Sequence, residues 1–273
     1  MRAVACLGDC CLDVYVEPVA RVLVGGSCLN VAVGLAGHGV DAVYAGPVGD
    51  DAAGDRVLAL LAERGLAADR VRRVTGARTA VTEILLEPGG ERRFLHEDYA
   101  IQEDYAPGEA EWEWLARAGA VHSSRMPAHL ARLCALGAGG ARVSYDFTTD
   151  PVPARLAGLD VAFVPDEALA GESPGEAARM LVARGAACAV VTQGERGAIA
   201  ATADGVERVA AVPVERVVDT CGAGDAFMAA FLARRLAGAP LRTCLEAGAA
   251  GGAAACLHLG AIEQAGHPLE ARA

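Results

Sequence analysis

Lysine is absent from the 273 residues, and all 24 basic side chains are arginine. This excludes a Schiff-base lysine, a Walker-type phosphate lysine and a pyridoxal anchor. Positive charge is also in deficit. The 35 acidic residues leave a net charge of −11, which is no footprint for nucleic acid or an anionic membrane surface. Aromatic residues are few, 5 Phe, 5 Tyr and 2 Trp, so a core must be assembled from Val, Leu and Ala. No run approaches the ~18 apolar residues of a membrane span, and the nearest, 247–257, is mostly Ala and Gly. The apolar start before Gly8-Asp9 is too short for a signal peptide. None of the nine cysteines forms a Cys-x-x-Cys pair, the count is odd, and most lie in apolar runs such as 186–191. That is the pattern of small buried thiols in a reducing compartment, not of disulfides or zinc ligands. A soluble cytoplasmic protein is expected, without nucleic-acid or membrane partners.

What is present fits an α/β fold. Hydrophobic residues make up 53% of the chain, and short apolar runs alternate with helical periods, the signature of a mostly parallel sheet. Strands are expected at 4–7, 42–45, 143–146, 161–164 and 189–192. Ser27 is expected to cap a helix carrying Leu29, Val33 and Ala36 on one face and closed by Gly37 or Gly39. A second helix over 52–64 turns Val57, Leu58 and Leu61 inward and ends at Gly65; the last two helices run over 224–236 and 241–257. Two stretches, 12–24 and 79–96, carry strand propensity without helices between, the second with a Pro88-Gly89-Gly90 hairpin turn. They read as a small β-element projecting from the sheet edge, either a lid or an ordinary edge hairpin.

The segment richest in chemistry is 217–227. An apolar strand end runs into Gly222-Ala223-Gly224, and a helix follows at once with Phe227, Phe231 and Leu232 at 3–4 spacing. Small residues there let backbone N–H groups point at an anion, and the helix N-terminus adds positive potential. A carboxylate at that point, Asp225, would sit beside a bound phosphate and can accept a hydroxyl proton during phosphoryl transfer. The bare pattern also admits a tight turn with an acidic residue stabilising the helix dipole.

The stretch Asp219-Thr220-Cys221-Gly222-Ala223-Gly224-Asp225 resembles the C-terminal signature of the ribokinase-type (phosphofructokinase-B) carbohydrate kinases, Asp-Thr-x-Gly-Ala-Gly-Asp. The N-terminal signature is matched by Gly25-Gly26-Ser27-Cys28-Leu29-Asn30-Val31-Ala32 and by 46–54, the first strand by Gly8-Asp9 with Asp13, and the nucleotide-side glycine strand by 191–198. These matches run in family order from residue 8 to about 261. The resemblance implies a ribokinase-like three-layer α/β/α fold over 1–273 as a single domain, with lid segments at about 12–24 and 79–100. It implies that Asp225 is the base that deprotonates the acceptor hydroxyl and that Gly222, Ala223 and Gly224 form the anion hole. It implies acceptor contacts from Asp13, Gly26 and Asn30, and nucleotide contacts from Thr192, Gly194, Gly197, Thr220, Gly252 and Cys256. ATP and Mg2+ are the implied cofactors, and a homodimer through the lid strands, using Val14, Val16, Val22 and Val24, is the implied assembly. On the residues alone, Asp13 also reads as a strand-end turn residue, Asn30 as a first-turn cap and Thr192 as a core strand residue.

One departure concerns magnesium. Where the family often carries Asn-x-x-Glu, this chain has Asp166-Glu167-Ala168-Leu169, so no protein ligand to the ion is assigned and Mg2+ is expected to be held chiefly by the nucleotide phosphates. Within the family, Tyr145-Asp146-Phe147-Thr148, the start at Gly8 and Asp98-Tyr99 are similar to the fructoselysine 6-kinase branch. Such an acceptor carries cationic amines, and Glu97, Asp98, Glu103 and Asp104 offer carboxylates, Asp98 being the expected acceptor contact; the same run also reads as a solvated face. A fructokinase or another ketose kinase explains the signatures equally well. A dinucleotide oxidoreductase would need Gly-x-Gly-x-x-Gly after the first strand, where this chain has Gly8-Asp9-Cys10-Cys11. A non-catalytic relative would be expected to have lost Asp225.

Overall fold

The computed structural model describes residues 3–169 and 171–269. In chain order the strands and helices begin with β1 (Val4–Leu7), β2 (Cys11–Tyr15), β3 (Arg21–Gly25), α1 (Ser27–Gly37), β4 (Ala42–Gly49) and α2 (Ala52–Glu63). They continue through β5 (Val71–Val74), β6 (Val81–Leu86), β7 (Arg92–Asp98), α3 (Glu109–Leu115), β8 (Ala120–Ser124), α4 (Leu130–Ala138) and β9 (Arg142–Asp146). The chain closes with β10 (Val161–Pro165), α5 (Pro174–Ala183), β11 (Cys188–Thr192), β12 (Ala198–Thr202), β13 (Gly205–Val209), α6 (Ala223–Leu236), α7 (Leu241–Ala255) and β14 (His267–Pro268).

Nine strands form the main sheet in the order β13-β12-β11-β10-β9-β8-β1-β4-β5. It is parallel from β11 to β5, while β12 and β13 are antiparallel additions at one edge. Alternate residues of its strands enter opposite layers, as the period of a strand requires. Val4, Cys6, Val161 and Phe163 pack with α1, α2, α6 and α7, whereas Ala5, Leu7, Ala162 and Val164 pack with residues of α3, α4 and α5. With both faces covered, the central strands are apolar almost throughout. The exceptions are β9, with buried Ser144 and Asp146, and β8, at the middle of the sheet and absent from the sequence expectations. Its His122, Ser123 and Ser124 are buried. Ser123 Oγ donates to the Leu7 carbonyl at 2.8 Å, His122 Nδ1 lies 3.0 Å from Ser144 Oγ, and Ser124 Oγ donates to Asp9 at 3.0 Å. Hydrogen bonding of this kind offsets the cost of burying polar groups, so a polar strand can occupy a core position.

A separate five-stranded sheet, β14-β3-β2-β6-β7, collects the two extended stretches. Of the four valines expected to face a second copy, Val14, Val22 and Val24 pack within the chain, and Val16 is half-buried. Val22 and Val24 are buried and belong, with Leu12 and partly buried Val14, to the main core beside α2. The opposite face, through Tyr15, Leu23 and Ile84, packs on Cys221, Leu259 and Ala261. Two smaller expectations also change. In α2 the inward residues are Val57, Leu60 and Leu61, with Leu58 only half-buried, and β4 continues through Pro47 to Gly49 because it pairs with β5.

Candidate active site

The parallel strands end on one edge, where open α/β sheets place their ligands. Asp9 follows β1, Arg125 follows β8, Asp146 ends β9 and Thr192 ends β11. Into the same edge run the N-termini of α1 and α6.

Asp225 lies in the first turn of α6, partly buried. Ser27 Oγ donates to its Oδ1 and Asn30 Nδ2 to its Oδ2, each at 2.8 Å. Ser27 is therefore not the N-cap of α1. Gly26 holds that position, and the first-turn N–H groups of Ser27 and Cys28 are taken by the Asp9 carboxylate at 2.9 and 3.2 Å. The Ser27 hydroxyl is thereby free to reach Asp225. Asn30 is buried, and its Oδ1 has no hydrogen-bond partner. Unpaired buried polar atoms are rare and call for a donor from elsewhere.

Burial raises the Asp225 carboxyl to about 7, and the like charges of Asp146 and Asp9 push the same way, while the Asn30 and Ser27 hydrogen bonds pull it down. Asp13, projecting from β2, is raised to about 7, first by burial and then by Asp219 and Asp9, against the lowering effects of Cys11 and Arg92. Burial also lifts Asp146 to about 6, opposed by hydrogen bonds from Thr148. Room for Asp13 depends on Gly25, since a Cβ there would stand 2.1 Å from its Oδ2. Gly26, at φ +104°, lets the chain pass Cys10, whose Cα would lie 2.4 Å from any Cβ.

The loop before α6 is held from below by Asp219. This buried carboxylate accepts from Tyr15 Oη at 2.5 Å, Cys221 N at 2.9 Å and Gly260 N at 2.8 Å. Gly222 caps α6 in the left-handed region at φ +73°, packed so closely that a Cβ would fall 2.3 Å from that of Ala261. Gly224 differs. Its backbone is ordinary, it is exposed, and an added Cβ would meet nothing within 4 Å. Ala223 and Gly224 thus present a helix N-terminus to open space. Over it lies the β6–β7 turn, where Gly90 accepts from Thr220 N at 2.9 Å and Arg92 Nη1 donates to the Thr220 carbonyl and hydroxyl at 3.1 and 3.2 Å. Arg92 was missed by sequence reasoning. Its only signal was the lone basic pair after the hairpin turn, and 128 residues separate it from its partner.

The other expected contacts are dispersed around this edge. Thr192 closes β11, and Gly194, at φ +53°, borders open space. Gly197 is required by packing, since a Cβ would stand 2.1 Å from the Val209 carbonyl. Gly252 keeps α7 close to Ala223, and the Cys256 carbonyl accepts from Val218 N at 2.8 Å. Asp98 is engaged elsewhere, accepting from Arg78 at 2.7 Å and from Ala100 N at 3.1 Å. Asp166 pairs with Arg196. Among the described residues no group of three or more His, Cys, Asp or Glu side chains converges to hold a metal ion. Beside Asp9 and Cys11 opens a cavity of about 480 Å³. No helix among the described residues is long and apolar enough to cross a membrane.

The sequence profile of the pfkB family carbohydrate kinases matches residues 1–137 and 162–267. A fructoselysine 6-kinase of Shigella flexneri is 33% identical over 258 residues, covering 92% of this chain and 95% of that protein. A fructokinase of Klebsiella pneumoniae is 32% identical, with 83% of this chain and 82% of that protein covered. Among solved structures, a ribokinase of Arabidopsis thaliana complexed with ribose and ATP superposes with a TM-score of 0.83 over 95% of this chain and 94% of that one, at 22% identity.

Proposed function

The chain belongs to the pfkB family of carbohydrate kinases, and we propose that it moves the γ-phosphoryl group of ATP onto a primary hydroxyl of a ketose-type acceptor, a fructosamine such as fructoselysine. The observation that carries this reading is the Asp225 carboxylate, fixed by Ser27 and Asn30 beside the open N-terminus of α6. A carboxyl near 7 matches a general base working close to neutral pH, because half of it is already able to take a proton. Asn30 Oδ1 and the buried Asp13 are acceptors suited to sugar hydroxyls, which donate into them with fixed geometry.

In this reading Asp225 takes the proton of the attacking hydroxyl while the N–H groups at 222–224 receive the charge of the transferring group. Arg92, the first residue of β7, reaches over this loop and would offer its guanidinium to phosphate oxygens. Thr192 and Gly194 support the nucleotide at the end of β11. The second sheet serves as the lid, joined to the anion loop through Tyr15–Asp219 and Gly90–Thr220. Mg2+ in this reading accompanies the nucleotide phosphates, since a hard ion of this kind keeps several waters and is held largely by substrate phosphates. Two copies would pair through the outer strand β7 of the lid, where Phe94 and Leu95 are exposed, rather than through Val22 and Val24, which are buried. A fructosamine is favoured over free fructose because Glu103 and Asp104, both exposed and without an arginine partner among the described residues, line the cavity beside Asp9.

The test is Asp225→Asn, which keeps the shape but cannot accept the proton. We expect kcat to fall at least ~100-fold with ATP and acceptor binding little changed. Retention of more than about a tenth of the wild-type kcat contradicts base catalysis by Asp225.

A further inference from the structure

The cavity beside Asp9 and Cys11 is also lined by Tyr99, Glu103, Asp104 and Arg125. Arg125 is the only arginine among its lining residues, and its backbone is unusual. It sits at φ +54°, in the left-handed region that side-chain-bearing residues rarely enter, immediately after the buried strand β8. Strained residues of this kind persist where the surroundings hold them, and they cluster at ligand sites. Its side chain lies over Tyr99, with the guanidinium carbon 4.2 Å from the ring centroid. The ion-pair partner Glu97 is 3.7 Å away, too far for a hydrogen bond. Stacking occupies one face of the guanidinium, whose N–H edge faces the charges of Asp9 and Glu97 and bonds Tyr99; the remaining N–H groups are of the kind that grip a carboxylate. Glu103 and Asp104 stand on the same cavity and form no ion pair among the described residues.

One arginine edge and two unpaired carboxylates on a single cavity match a group bearing both charges. We propose that this cavity binds a zwitterionic amino-acid end of the acceptor, its carboxylate on Arg125 and its ammonium beside Glu103 and Asp104. The proposal rests on the reading of the acceptor as a sugar–amine conjugate. It makes Arg125 a specificity-determining residue for the acceptor.

The experiment compares fructoselysine with its decarboxylated counterpart, the fructose conjugate of 1,5-diaminopentane, in wild-type, Arg125→Gln and Arg125→Lys proteins. The readout is the ratio of the two kcat/KM values. A charge-assisted pair predicts a wild-type ratio of roughly ten to a hundred in favour of the carboxylate. The ratio should collapse toward unity in Arg125→Gln and keep an intermediate value in Arg125→Lys, which retains the charge without the fork. Equal turnover of both conjugates by the wild-type protein overturns the proposal and leaves the fructosamine reading standing. A uniform fall with an unchanged ratio in the variants makes Arg125 merely structural and also overturns it. If neither conjugate is phosphorylated while free fructose is, the fructosamine reading fails and this proposal with it. Should Arg125→Gln fail to fold, the wild-type ratio and Arg125→Lys still decide.

Discussion

Asp225 owes its chemistry to Asn30 as much as to its own burial. The Asn30 Nδ2 group stabilises the charged carboxylate, whereas burial, Asp146 and Asp9 oppose it. Asn30→Ala removes the donor, so the protonated form of Asp225 gains and the acid limb of kcat/KM against pH moves upward by about one unit. The same change deletes the unpaired Oδ1 and should raise the acceptor KM. Profiles from pH 5.5 to 9 in both proteins check this, and an acid limb that stays in place would show that Asn30 does not tune the base. Asp9 illustrates a different economy. By taking the first N–H groups of α1, it releases Ser27 from capping and leaves its hydroxyl for the site.

At the scale of elements, the N-terminus of α6 separates two glycines that look alike in sequence. Gly222 needs its left-handed φ of +73° and has Ala261 against it. Gly222→Ala should cost roughly 1–3 kcal/mol, visible as a lowered Tm, and should abolish transfer. Gly224 has ordinary helical geometry and free space where its Cβ would be. Gly224→Ala should therefore raise stability by about 0.5–1 kcal/mol, because glycine is the poorer helix former. At the same time kcat/KM for ATP should drop at least about tenfold if the proposed anion site is right, since the methyl would stand where phosphate approaches bare backbone. Thermal melts and steady-state kinetics on the pair distinguish the roles. A stable and fully active Gly224→Ala protein would mean that this turn does not contact the phosphoryl group.

For the whole molecule, the acid cluster sets the pH dependence of stability. Asp13 and Asp225 are raised to about 7 and Asp146 to about 6, against about 3.9 for an unfolded Asp. Between about pH 4 and 7 the folded chain holds protons that the unfolded chain has released, so stability falls as pH rises through that window. His122 acts in reverse. Burial lowers it to about 3, and the stability of its neutral form is lost as pH drops below about 6.5. Three carboxyls outweigh one imidazole, so Tm should be higher at pH 5.5 than at pH 8. Asp13→Asn should flatten the difference and stabilise the protein at pH 8. Melting curves at the two pH values test this, and a wild-type Tm that rises toward pH 8 would contradict the assigned cluster. Asp51 works the other way: hydrogen bonds from Thr79 and Gly54 outweigh its burial and hold it below the usual range, so its contribution is fully present above about pH 4 and is lost only as pH falls below that.

The glycine turn at 222–224, the helix that follows it and the alternation of apolar runs with helical periods are written in short stretches of chain. Backbone freedom and side-chain periodicity act over a few residues, so 4–7 emerges as strand and Asp225 at a helix start without any knowledge of the fold. Strand β8 escaped such reasoning because Ser144, the Leu7 carbonyl and Asp9 bond His122 Nδ1 and the two serine hydroxyls, and these partners lie far away in sequence. The covered face of β2 and β3 was equally illegible: an alternating strand shows that one side is apolar, but not what lies against it. Tyr15 meets Asp219 across 204 residues, and Ser27 meets Asp225 across 198. Composition and local propensity were enough to determine an α/β chain with a glycine turn at the start of a helix. The raised carboxyls, the arginine over the loop and the charged cavity arise from groups that only tertiary packing brings together, because desolvation and Coulomb forces depend on distance in space and not on separation along the chain.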